Sequence, residues 1–309
     1  LRVTYPAQLE DLARRAGERG ERAWFSLSQV FVEGPSGKVD LLITDHADVS
    51  NGYARVFPSN RIVVYAPPPV DGFSLTHMDE WMELVVTHEL AHIFHEDYTA
   101  RLGGALRTLF GRVPLEWPFF PGAATPGWVL EGIATYYESE LTQAGRVRGS
   151  FHEMVLRTAV LEDRFEGLDQ TSGDSPIWPG GQRYYVYGSL FMDHLMDRYG
   201  GEAMGRFVEA VAGQWIPYRL NAAAEDAFGV SFSEAWEEWR DLLGKRYSAL
   251  RDTLSREAPL TRGEPLTHAG YSAWSPRPSP EGDRMALARV DGRTDPPIRF
   301  LHGTTGDGK

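Results

Sequence analysis

Apolar and charged positions alternate along residues 7–23 with the period of an amphipathic helix. Two short β-branched runs follow, at 39–44 and 61–66, and read as strands, with the turn signal Asn51-Gly52 between them. From about residue 78 to 254 the apolar spacing becomes helical. It predicts helices over 76–97, from 127 onward, and over 151–162, 184–199, 201–212 and 232–254. In the last of these Trp236, Trp239, Leu243 and Tyr247 form one stripe, read as core. Two irregular stretches rich in Gly, Pro and aromatic residues, 111–125 and 167–181, separate the helices. Loops of that length either line a functional cleft or simply connect. The pattern predicts an α+β fold, with a small mixed N-terminal sheet packed on a mostly helical domain and a short C-terminal β segment. The expected boundaries are 1–255 for the main domain (sheet-rich to about 75, helical from 76) and 256–309 for the rest.

The predicted helix over 76–97 carries His88-Glu89-Leu90-Ala91-His92. Histidines four apart lie one turn apart and project from the same face, where they can hold one metal ion. Glu89 sits on the flank of that face, within reach of a water at the metal but outside the ligand set. Thr76 to Asp79 reads as a capping box, and Trp81, Leu84, Val85, His88 and His92 fall on one inward stripe. A catalytic zinc takes three protein ligands and keeps one position open. The H-E-x-x-H-x-x-G-x-x-H extension is absent, because His95 and Tyr98 stand at its last two conserved positions. His95 reads as a neighbour of the site that packs or hydrogen-bonds. Glu131 is the better third ligand. It follows a helix start at Pro126-Gly127 and is flanked by Trp128, Leu130 and Ile133, which disfavours a solvent position.

H-E-x-x-H followed by Trp128-Val129-Leu130-Glu131-Gly132-Ile133-Ala134 resembles the gluzincin metallopeptidases, in particular their peptidase MA-like and aminopeptidase N-like branches. A third element, Tyr185-Val186-Tyr187-Gly188, is similar to the helix that carries an oxyanion-binding tyrosine in those families. The match puts that role on Tyr185, with Tyr184 and Tyr187 close enough to remain alternatives. The resemblance covers roughly residues 1–250. It implies a zinc cofactor held by His88, His92 and Glu131, with Glu89 as general base and peptides or unfolded protein segments as substrate. It also implies an extracytoplasmic location. The Gly-x-Met-Glu-Asn stretch that holds a free amino terminus in aminopeptidases is missing upstream of His88, so exopeptidase specificity is not supported. Gluzincins bind the substrate backbone along an edge strand, and the run from Asn60 to Tyr65 is the expected counterpart.

Zinc lowers the pKa of its water toward about 7, supplying a nucleophile at neutral pH. Glu89 would take that proton and pass it to the leaving amine, while the metal and Tyr185 stabilise the oxyanion. Thr135 and Glu138, one and two turns beyond Glu131, are candidates to orient ligands; for Glu138 a surface position is the competing reading. Two other classes share the motif: a zinc-containing scaffold that recognises a partner through another domain, and a zinc hydrolase acting on a non-peptide bond. The intact base at Glu89 favours an enzyme.

After Ser255 the composition shifts. Tyr271 to Ala288, with Ser279-Pro280-Glu281-Gly282 as its turn, resembles one TolB-like β-propeller repeat, continued by Asp291-Gly292 and an apolar run at 298–301. One blade cannot bury its own faces, so a natural protein extending into a propeller is expected.

The 309 residues carry 31 basic and 43 acidic side chains, a net charge of -12 that argues against nucleic-acid binding. No apolar stretch approaches a membrane span. Residue 1 is Leu, which reads as a processed or trimmed product and leaves room for a removed signal peptide. Without Cys there are neither disulfides nor thiolate sites. Gly303 to Lys309 fits a P-loop formally but lacks the following helix, and reads as a hairpin turn. His46, His77, His152 and His194 lack partner patterns. Asp45-His46-Ala47-Asp48 is ordinary turn chemistry, and no G-x-S-x-G elbow is present.

Overall fold

The computed structural model describes residues 1–70, 75, 77–172, 177–259, 261, 263, 265–266, 273–290 and 297–302. The chain divides into two compact units, Leu1–Leu250 and Arg251–Lys309. The architecture is α+β, with a four-stranded mixed N-terminal sheet, a mostly helical middle and a small antiparallel C-terminal sheet.

In the first unit, strands β1 (Arg2–Thr4), β2 (Asp40–Thr44), β3 (Gly52–Arg55) and β4 (Arg61–Tyr65) run in the order β1-β2-β4-β3. The first two pairings are parallel and β3 is antiparallel to β4. Parallel β1 and β2 need a crossover, and helix α1 (Glu10–Leu27) supplies it. Its buried positions Ala13, Ala16, Gly20 and Ala23 are small, so α1 lies close against α2 (Trp81–Glu96); a Cβ on Gly20 would approach Val86 Cγ1 to 3.2 Å.

Two expectations need correcting. The run from Asn60 to Tyr65 is not an edge: β4 lies between β2 and β3. Its residues Ile62, Val63 and Val64 are buried, as an interior strand requires. The edge next to it is β3, which begins inside the supposed Asn51-Gly52 turn and is too short and polar for its period to show. Helix α2 begins at Trp81, four or five residues later than expected. Its N-cap, Glu80, is extended and makes no side-chain cap; instead its carboxylate pairs with Arg15 at 3.0 Å and Arg19 at 2.7 Å on α1. The start is therefore set by tertiary pairing. Thr76 of the proposed capping box lies outside the described residues.

The inward stripe of α2 is buried as expected, but so is its opposite face through Val86, Leu90, Ile93 and Phe94. A helix apolar on all sides is a central one. Its lower end is pinned by Asp97, whose buried carboxylate accepts from Ser36 N (2.7 Å), Asn60 Nδ2 (2.7 Å) and the Arg107 and Arg112 guanidiniums. That cluster joins the loop before β2, the start of β4, and α3 (Arg101–Phe110) with the loop after it.

Helices α4 (Gly127–Thr142), α5 (Gly145–Arg148), α6 (Ser150–Leu161), α7 (Arg183–Tyr199), α8 (Glu202–Ala212), α9 (Leu220–Phe228) and α10 (Phe232–Glu257) complete the helical part. Helices α4 and α7 cross at Gly132 and Gly188. A Cβ on Gly132 would stand 2.7 Å from the Gly188 backbone, and one on Gly188 would collide with the Trp128 carbonyl. The stripe on α10 is core: Trp236 packs on Phe191 (ring centroids 4.8 Å apart), Tyr187 (5.8 Å) and Trp239 (5.1 Å).

In the second unit, β5 (Ala273–Pro278), β6 (Arg284–Arg289) and β7 (Ile298–His302) form an antiparallel meander. The β5–β6 turn is closed by Gly282 N donating to Ser279 O (3.0 Å), with Gly282 at φ 73° as the residue free to adopt it. Tyr271, Asp291-Gly292 and the Gly303–Lys309 stretch lie outside the described residues.

Candidate metal centre

Helix α2 presents His88 and His92, and α4 presents Glu131 across from them. His88 Nε2 and His92 Nε2 are 3.2 Å apart, and Glu131 Oε2 lies 3.3 Å from the first and 3.4 Å from the second. Among the described residues this is the one group of three or more metal-ligating side chains whose donor atoms converge, and both histidines are buried. Glu131 Oε2 is buried and accepts no hydrogen bond. A buried carboxylate oxygen without a donor is costly unless a cation meets it. Burial disfavours its charge, yet the two imidazoles hold the Glu131 carboxyl well below the usual range. Conversely, although burial opposes protonation of the imidazoles, the carboxylates of Glu131 and, for His88, Glu138 hold both pKa values above normal. Every group at this point calls for positive charge between the three atoms, and the donor set fits a divalent metal ion.

Each histidine also has a carboxylate behind it. His88 Nδ1 lies 2.8 Å from Glu138 Oε2 and 3.0 Å from Arg146 Nη2; with its proton on Nδ1 and directed to Glu138, the Nε2 lone pair faces Glu131. Glu138 is fully buried, so its surface reading is overturned; two turns beyond Glu131 on α4, it points into the α2–α4 interface. Burial would raise its pKa, but Arg146 lowers it to about 2. The guanidinium grips both carboxylate oxygens, Nε to Oε1 at 2.8 Å and Nη2 to Oε2 at 2.6 Å. His92 Nδ1 is 3.4 Å from Glu96 Oε1, too long for a formed hydrogen bond. Thr135 is buried, and its hydroxyl makes no hydrogen bond to a ligand.

Glu89 is buried beside the histidines, and desolvation raises its pKa, a change that strengthens it as a base. Gly52 on β3 makes room for it: a Cβ there would meet Glu89 Oε1 at 3.0 Å and Val85 Cγ2 at 2.7 Å. A cleft of about 340 Å³ opens over these residues, lined by Gly52, Tyr53 and Ala54 of β3, Trp81, Leu84 and Val85 of α2, and Gln182 and Tyr185 beside α7. Of the three candidate tyrosines only Tyr185 lines it. Tyr187 is fully buried, its hydroxyl accepting from Glu166 N, and Tyr184 packs toward Gly127. Burial, with Glu131 nearby, raises the Tyr185 pKa, so its hydroxyl remains a donor.

Sequence reasoning missed Arg146, Glu96 and β3. Glu96 had a signal, one turn beyond His92; Arg146 had none, because a reversal after α4 brings it back to the site. Neither long loop contributes a described residue to the cleft; 111–125 and 167–181 line separate cavities near Pro126 and Leu220. His95 is buried with both ring nitrogens unpartnered, burial lowering its pKa to about 3, and it stands outside the ligand group. His152 is also buried, 3.1 Å from the Ser189 hydroxyl. No known protein family matches the chain, and no curated protein matches its sequence.

Proposed function

We propose that the chain is a zinc-dependent peptidase of gluzincin type, cleaving peptides or unfolded protein segments outside the cytoplasm. The observation that carries this reading is the triangle of donor atoms, with edges of 3.2, 3.3 and 3.4 Å. A tetrahedral ion with ligands at about 2.0–2.1 Å has edges of about 3.3–3.4 Å, and two imidazoles with one carboxylate are a zinc hydrolase set. Magnesium and calcium prefer oxygen ligands alone.

A zinc ion held there supplies Lewis acidity that polarises a carbonyl and acidifies a water. Glu89, buried and raised in pKa, takes the water's proton and returns it to the departing amine. The Tyr185 hydroxyl donates to the oxyanion. Strand β3 supports a peptide over other substrates. Asn51 O accepts from Tyr65 N, which puts Tyr53 in the next hydrogen-bonded pair with Val63. The Gly52 carbonyl and the Ala54 amide and carbonyl then face away from β4, free to pair with an extended backbone along the cleft.

The test pairs elemental analysis with cleavage of an unbiased peptide library, on the chain and on Glu89→Gln. One zinc per chain in both, with cleavage by the parent alone, is the expected result. Zinc without cleavage by either returns the chain to the scaffold or non-peptide reading, and a folded parent without zinc removes the metal assignment.

A further inference from the structure

Helix α4 ends at Thr142, and the chain turns back on itself through Gln143 and Gly145, both at positive φ (58° and 78°). A Cβ on Gly145 would stand 2.6 Å from Ser139 Oγ and 3.1 Å from Glu138 Cγ, so only glycine lets the returning chain lie this close to α4. The reversal is clamped by Gly145 N donating to His77 O (2.7 Å) and by Val147 N donating to Ser139 Oγ (3.1 Å). It delivers Arg146, on the single turn α5, into the cleft wall, where the side chain is buried.

There one guanidinium meets both halves of the site. Its edge holds Glu138 through two parallel hydrogen bonds, with a third from the Arg146 backbone amide at 3.1 Å, and Glu138 Oε2 in turn lies 2.8 Å from His88 Nδ1. Its Cζ lies over the Tyr185 ring, 4.7 Å from the centroid. A planar, permanently charged group can use edge and face at once; an ammonium cannot.

We propose that Arg146 is a positioning residue that fixes His88, directly and through Glu138, and the Tyr185 ring against a single rigid group, so that metal ligand and oxyanion donor keep one spacing. This rests on the peptidase reading for Tyr185 but not for His88. Arg146 Nη2 also lies 3.0 Å from His88 Nδ1, the ring nitrogen remote from Glu131, so Arg146 acts on His88 from behind, directly and through Glu138, and on the reacting atoms only through Tyr185.

The experiment compares Arg146→Lys, Tyr185→Phe and their double variant, with Arg146→Gln as a second substitution that keeps one donor for Glu138 should the lysine variant fold poorly. Three readouts are taken on folded protein: zinc affinity by chelator competition, kcat and KM at saturating zinc, and the ¹⁹F resonance of fluorotyrosine at 185, assigned by its loss in Tyr185→Phe. Expected for Arg146→Lys are zinc binding weakened about tenfold, a displaced fluorotyrosine resonance, and kcat reduced about tenfold with KM within about twofold. In the Tyr185→Phe background the same substitution lowers kcat by a clearly smaller factor, because the hydroxyl it would misplace is gone. Unchanged zinc affinity in both Arg146 variants overturns the link to His88. Equal kcat losses in the two backgrounds, or an unmoved resonance, overturn the link to Tyr185. If the parent cleaves no peptide the peptidase reading fails, while the zinc and ¹⁹F readouts still decide the role of Arg146.

Discussion

Helix α4 has two dissimilar sides. Toward α2 it presents Glu131 and Glu138 to two histidines and an arginine, an interface of buried charges. Toward α7 and α10 it presents Trp128 to Phe191, Phe232 and Trp236, with ring centroids 5.0–6.4 Å apart, an interface of rings beside the close Gly132–Gly188 crossing. Ring packing is favourable in itself, since aromatic burial and edge-to-face contact both stabilise. Buried charges recover at best what their desolvation costs, and an apolar replacement is often as stable. The ring side therefore holds the fold, and the charged side is a site maintained for what it binds. Substitutions on the two sides should separate activity from stability.

The largest separation is expected at Glu89. Glu89→Gln should lower kcat by about 10²–10⁴, the range for loss of a general base, with zinc content and melting temperature close to the parent. A variant with substantial residual cleavage would show that another group takes the proton. On the ring side, Trp236→Ala should cost about 3–5 kcal/mol and lower the denaturant midpoint sharply. The fraction still folded should bind zinc normally. Equal loss of zinc affinity in that fraction would mean the two sides of α4 are not separable.

The same contrast explains what the sequence made legible. The convergent group His88, His92 and Glu131 was readable because the two histidines stand at helical spacing and Glu131 sits among apolar neighbours in a second helix, and the ring stripe on α10 because apolar periodicity survives in a long helix. A residue behind this group was readable only where it shared a helix with one of the three, as Glu138 does with Glu131. Arg146 was not, since its place depends on a reversal fixed by Gly145 and Ser139. Strand β3 was missed because four residues with intermediate and exposed side chains carry no period, and its role as the edge depends on β4 being paired on both sides. The start of α2 was misplaced because Glu80 answers to Arg15 and Arg19 on α1, which no local capping rule contains.

Gly188 joins the two sides and should show an intermediate effect. Its lack of a side chain lets α7 lie on the Trp128 carbonyl, three residues from Tyr185 and one turn from Glu131 on the opposing helix. Gly188→Ala has no room for the added methyl and should cost about 1–3 kcal/mol by overpacking. Because the helices must part where Tyr185 faces Glu131, kcat should also fall while zinc affinity, set by α2 and α4, changes little. A loss of stability with no change in kcat would place Tyr185 outside the reaction.

The smallest effect is expected where α4 and α7 meet beyond the rings, in a polar cavity lined by Glu140, Arg148, Asp193 and Asp197. Asp193 is half-buried, and desolvation, aided by Asp197 one turn along α7, raises its pKa to about 6. A carboxyl whose folded pKa exceeds its unfolded value binds its proton more tightly when folded. Its stabilising contribution is complete below about pH 4 and is lost as pH rises through 6. At neutral pH the ionised Asp193 therefore opposes folding, by about 1 kcal/mol once a shift of about 2 units is discounted for partial solvent screening. Asp193→Asn should be more stable than the parent by about that amount at pH 7.5. The advantage should shrink through pH 6–5 and vanish near pH 4. Urea denaturation of both proteins across pH 4–8 measures it, and a difference independent of pH would show that the amide acts through packing and not through charge.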